Sequence, residues 1–197
     1  MRRTITSLSI ALLLASPAMA IDFTPRVMIE NADGVTIHRY YFADGSKNYG
    51  IKLGAAATLS AGNGGALFTF GKFVYATMLW RSSPFPAAMA FDAEHLPQYL
   101  IAAKQFLPKG STDLKVETEE ANVYPINHWI CHRYTISYAF YGSPMRDTVT
   151  FLNLNEKEQI VIQVSSTGAD AAAIAAEAWN LIRSWHEMDA QPKPPGN

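Results

Sequence analysis

The segment from Asn127 to His132, "NHWICH", sets two histidines and the chain's only cysteine close together. Imidazole nitrogens and a thiolate are ligands for zinc, and a cysteine beside a histidine is a pair that nucleophilic catalysis uses. The residues from Tyr134 to Tyr141 are rich in Thr, Ile, Tyr and Phe, which favours a strand through the whole stretch. On a strand, His128, Ile130, His132, Tyr134, Ile136 and Tyr138 share one face, while Trp129, Cys131, Arg133 and Thr135 share the other. Cys131 then points away from both histidines. At ~3.3 Å per residue the histidines stand about 13 Å apart, whereas two nitrogens on one tetrahedral zinc lie within about 3.5 Å of each other. The strand reading makes Cys131 a packed thiol and His128 and His132 rim residues, with no metal assigned.

Other residues with catalytic chemistry are scattered. Glu117 and Glu119 share a face of one expected strand, with Cα atoms about 7 Å apart, as a paired-carboxylate site would need. With Glu120 in "ETEE" they read instead as a solvated or edge strand whose charge discourages aggregation. Ser82, Ser83 and Ser143 sit beside prolines, lie in no G-x-S-x-G elbow, and read as turn formers. His38, His95 and His186 fall in different elements, and nothing in the sequence requires them to meet. No catalytic residue and no cofactor is assigned. Aromatic residues point to binding instead. Tyr40, Tyr41 and Phe42 run together, which prevents all three from facing one side of a strand, and Trp80 precedes the "SSPFP" loop that carries Phe85. Exposed aromatics are frequent anchors of interfaces, so these five are the candidate partner-binding residues.

The elements that must position these residues are mostly strands. Asp33-Gly34 and Asp44-Gly45 each lie between β-rich runs and predict hairpins. Ala66 to Phe70 and Phe73 to Trp80 form a further pair broken at Gly71-Lys72. The "GNGG" before them is a plain turn, because a phosphate-cradling loop would open a helix and here more strand follows. Leu96, Tyr99, Leu100, Ala103, Phe106 and Leu107 have helical spacing, with Pro97 in the first turn and Pro108-Lys109-Gly110 as the stop. Strands follow in "DLKVETEEA", in the run from His128 to Tyr141, and, after a turn at Gly142-Ser143-Pro144, in "RDTVTFLNL" and "QIVIQVSS". Ile174, Ala178, Leu181, Trp185 and Met188 form a second helical stripe, opening between Thr167 and Asp170. Both faces of the strand after His128 carry large apolar groups, so both are expected to be covered. The class is α+β: a largely antiparallel sheet, with a helix between strands and a C-terminal helix covering it.

Residues 1 to 20 have a basic start at Arg2-Arg3, an apolar run from Leu8 to Ala15 and the small-x-small ending Ala18-Met19-Ala20, the pattern of a secretory leader cleaved after Ala20. The expected division is a leader at 1–20, one domain at 21–188 and a flexible tail at 189–197. No cysteine stands at the cleavage junction to take a lipid anchor, and no stretch has the ~20 apolar residues of a membrane-spanning helix. Basic and acidic residues nearly balance, 16 against 17, with no basic cluster, which argues against a nucleic-acid partner.

From Tyr49 to Met188 the order of strands, helix, the meander "YTISYAF", "DTVTFLNL" and "QIVIQVSS", and a closing helix "NLIRSWHEM" resembles the PsbP-like fold, including its DcrB-type envelope members. The resemblance implies an α/β/α sandwich and a non-enzymatic accessory role, and carries over no functional residue. The expectation is a periplasmic or secreted accessory protein that binds an envelope protein through a surface or shallow cleft. The alternatives are an envelope hydrolase, or a small-molecule binder with an apolar cavity between sheet and helix.

Overall fold

The computed structural model describes residues 22–32, 35–44, 47–52, 57–62, 65–70, 77–121, 126, 128–167 and 170–188; within 22–57, 61–62 and 187–188 the description is of backbone, save for Thr24 and Ile51. The expected leader at 1–20, the expected tail at 189–197 and the turns expected at Asp33-Gly34 and Gly71-Lys72 lie outside the described residues.

The chain runs β1 (Asp22–Ala32), β2 (Val35–Asp44), β3 (Lys47–Lys52), β4 (Ala57–Gly62), β5 (Gly65–Phe70), β6 (Thr77–Ser82), α1 (Leu96–Gln105), β7 (Thr112–Ala121), β8 (Ile130–Phe140), β9 (Ser143–Asn153), β10 (Gln159–Thr167), α2 (Ala171–Arg183) and β11 (His186–Met188). Two sheets result. The larger has seven strands in the order β4-β5-β6-β10-β9-β8-β7, and the smaller four in the order β1-β2-β3-β11. All the pairings are antiparallel. The strands pair as the sequence predicts, Ala32 opposite Val35 in the first hairpin and Asp44 opposite Lys47 in the second.

The large sheet is buried on both faces at its centre, which is why β10 reads "QIVIQV" without a polar alternation. On one face Tyr134, Ile136, Tyr138, Val149, Phe151 and Val161 meet Tyr99, Ala102 and Ala103 of α1. On the other, Met78, Trp80, Leu152, Ile160 and Ile162 meet Ile174, Ala178, Leu181 and Ile182 of α2, with Ile51 of β3 joining the same cluster. Fully burying each such side chain is worth roughly 1.5–3 kcal/mol, and this sustains a fold without a disulfide. Gly65 of β5 is required sterically, because a Cβ there would collide with the Trp80 carbonyl oxygen.

Three local expectations are corrected. The second helix stops at Arg183, and the chain then turns so that His186–Met188 pairs with β3, while Trp185 stays in the core. The β8–β9 turn is the two residues Tyr141-Gly142, both at positive φ (48° and 77°), with Ser143 and Pro144 already in β9. Between Val116 and Thr118 the β7–β8 register slips by one residue. That bulge turns Glu117 to the α2 face, where it accepts from Arg146 at 2.9 Å, while Glu119 stays on the α1 face; the two carboxylates expected on one face are therefore on opposite ones.

Candidate functional site

The α1 face carries three groups of polar side chains among the described residues. Near the N-terminus of α1, His132 of β8 is buried, 3% exposed, and its ring stacks on Phe91 at 5.6 Å. Its Nε2 donates to Glu119 Oε1 at 3.1 Å, and its Nδ1 is buried without a hydrogen-bond partner. Tyr134, two residues along the same face, donates to the Leu96 carbonyl at 3.1 Å and lies 3.4 Å from the same Glu119 oxygen. Burial, and then the Glu119 charge, push the Tyr134 hydroxyl well above the usual phenol range. An imidazole and a carboxylate in contact are two parts of a nucleophilic triad, but Cys131 lies on the opposite face, packed with Trp129 and Leu152. His132 is thus a core histidine instead of the expected rim residue.

A second group lies under the other end of α1. Asp147 of β9 is fully buried and accepts from Tyr138 at 2.9 Å and from Gln163 Nε2. Gln163 also donates to the Phe106 carbonyl at 3.2 Å and accepts from Arg81 Nη2 at 2.6 Å, and the Arg81 guanidinium lies 3.8 Å over the Phe106 ring. The group is a clamp on the C-terminal end of α1.

The third group opens to the surface. Residues 83–91, between β6 and α1, form a strap across the sheet. Ser83 donates to Gln159 at 2.6 Å, Gln159 donates to Tyr99 at 2.7 Å, and the Met89 carbonyl accepts from both Tyr99 (2.8 Å) and Asn153 (3.0 Å). Beyond the pinned Met89 is a cleft of about 400 Å³ lined by residues 88–90, 128–130 and 153–156. Ile130, 48% exposed, presents an aliphatic side chain to it, and His128, Asn155 and Glu156 stand exposed around it. The space between α1 and the sheet, by contrast, is filled, with the Tyr99 and Phe151 rings 4.8 Å apart.

Of the five aromatic candidates, Trp80 is fully buried, 4.6 Å from Trp185, and is removed from any surface. Phe85 is half-buried, edge-on to Tyr99 at 5.0 Å. Their alternation with Arg81 and Pro84 gave no sign that two covered faces would claim both. Tyr40, Tyr41 and Phe42 lie in β2, and their side chains fall outside the described residues. His95 bonds Asp92 at 2.7 Å and holds that carboxyl below its usual range; His186 bonds the Ser184 carbonyl; the two do not meet, and the side chain of His38 lies outside the described residues. His128 precedes β8 in a turn closed by the Ile126 and Trp129 bridge. The sequence reading passed over the cleft, whose one visible sign was Ile130 set between two histidines. Tyr141, expected as the last residue of the strand with both faces covered, is instead 93% exposed at the tip of the β8–β9 hairpin.

Among the described residues no helix is long and apolar enough to cross a membrane. No family model matches the chain, and no curated protein matches it. Among solved structures it is similar to LpqN, described as involved in cell envelope biogenesis of Mycobacterium tuberculosis, with a TM-score of 0.54 and 9% identity over 83% of this chain and 91% of that one. It also aligns with PA94 of Pseudomonas aeruginosa, a protein of unknown function, with a TM-score of 0.43 and 12% identity over 86% of this chain and 99% of that one. At such low identity the likeness to LpqN is one of fold: the chain is an α+β domain of similar architecture.

Proposed function

We propose that the chain is an exported accessory binding protein of the bacterial cell envelope, of PsbP-like type, which takes its partner in the cleft between Met89 and Ile130. The observation that carries the reading is the cleft itself: a half-exposed aliphatic side chain beside a strap whose backbone is pinned in place, with polar groups at the rim. The leader-like residues 1–20 support export. The fold shared with LpqN, itself described in cell envelope biogenesis, is in keeping with an envelope setting. Tyr40, Tyr41 and Phe42 are proposed as a second contact surface on β2.

The test is capture from native envelope extract by the tagged chain. Ile130→Asp is expected to weaken capture by about 1–3 kcal/mol, the usual effect of losing a central apolar contact, with the fold intact. Glu119→Gln should leave capture unchanged. Silent Ile130→Asp together with loss of the cellular phenotype on Glu119→Gln would sink this reading and favour a hydrolase built on His132 and Glu119.

A further inference from the structure

We infer that the cleft takes an extended peptide segment carrying an aliphatic side chain and, two residues on and so on the same face, a basic one; the inference rests on the cleft being the binding site. Three features of the cleft match three parts of such a segment. The first is the apolar lining from Met89, Ile130 and Leu154, which takes an aliphatic side chain. The second is the strap. Met89 is held through its carbonyl, yet the amides of Ala88, Met89 and Ala90 donate to no described residue, so the strap offers main-chain donors in a fixed position. Unpaired main-chain donors are met by carbonyl oxygens, and a peptide carries those along its whole length.

The third feature is Glu156. In the β9–β10 turn the Asn155 Oδ1 accepts from the Lys157 and Glu158 amides, at 2.8 and 2.9 Å, and Asn155 Nδ2 donates to Glu158 at 2.6 Å. Glu158 is thereby occupied inside the turn. Glu156, exposed and lining the cleft, has no hydrogen-bond or ion-pair partner among the described residues. An unpaired carboxylate at the rim of an apolar cleft favours a cation next to the apolar group that fills it. A sugar would need an open aromatic face, and Trp129, 5% exposed, offers none.

The experiment titrates the isotope-labelled full chain with the blocked peptide acetyl-Ala-Leu-Ala-Lys-Ala-amide, followed by amide chemical shifts. Two further peptides carry Glu in place of Lys, or Gly in place of Leu. The expected result is that shifts concentrate at residues 88–90 and 130, that Gly for Leu abolishes them, and that Glu for Lys weakens binding about two- to fivefold, as a partly exposed ion pair allows. Glu156→Lys should reverse the order of the Lys and Glu peptides. Equal affinity for both, with shifts still in the cleft, would overturn the basic-residue assignment while leaving the cleft as the site. No shift at 88–90 with any peptide would overturn the peptide assignment. The cleft itself stands or falls separately on Ile130→Asp in the capture assay, a change at a half-exposed position whose folding is checked by tryptophan fluorescence.

Discussion

The Asp147 carboxylate accepts hydrogen bonds from Tyr138 and Gln163, and Gln163 in turn accepts from Arg81. Burial raises its pKa, and the hydrogen bonds and the Arg81 charge offset only part of that. Burial likewise lowers the pKa of Arg81. A carboxyl whose folded pKa lies above its unfolded value of about 3.9 stabilises the fold fully below that value and loses the contribution as pH rises through the folded one. Wild type should therefore gain stability relative to Asp147→Asn as pH falls from 7 toward 4, measured as the difference between their urea midpoints. Parallel pH profiles would show that Asp147 titrates as it does unfolded. The comparison with the variant matters because Asp92, held low by His95, acts in the opposite sense in both proteins. None of this was legible in "MRDTVTF", where Asp147 reads as one polar position of an alternating strand. Its burial follows from α1 crossing that face, a tertiary fact.

At the scale of elements, most strands and both helices could be read, because their apolar spacing reports the two covered faces directly. The errors came where backbone geometry departs from regular period. One inserted residue at Glu117 reversed the face of a carboxylate, and a periodic stripe through Trp185 hid the end of α2, since a core position after the helix can fall in register with it. The β8–β9 turn is a further case. Tyr141 holds φ at 48°, a region that costs a non-glycine residue roughly 1–2 kcal/mol and that asparagine tolerates better. The Phe140 ring, 4.5 Å away, recovers a part of this. Tyr141→Asn should accordingly raise stability by about 0.5–1 kcal/mol, read by thermal or urea unfolding. A loss of stability would mean that the aromatic pair outweighs the turn strain, and that Tyr141 is held there by its packing.

The whole molecule has two layers of core separated by the seven-stranded sheet, and they are not equivalent. The α1 layer is built from a helix and a strap, and polar networks run through it to the cleft. The α2 layer is the drier of the two, and it joins three bodies: Trp185 lies against Trp80 of the large sheet at 4.6 Å, follows α2 directly in sequence, and leads into β11, which pairs with β3 of the small sheet. Ile51 of β3 enters the same cluster. Ile51 and the β11–β3 pairing thus tie the small sheet to α2 and the large sheet, and it should unfold with them as one unit. Trp185→Ala opens a cavity at that junction and is expected to cost about 3–5 kcal/mol, much of the stability of a domain this size. Far-ultraviolet dichroism and tryptophan fluorescence should then shift together to a lower urea midpoint, because each reports the same cooperative loss. If fluorescence moved alone while most of the strand signal persisted at the original midpoint, α2 would be leaving a sheet that stays folded, and the seven-stranded sheet with α1 would carry the cleft unaided.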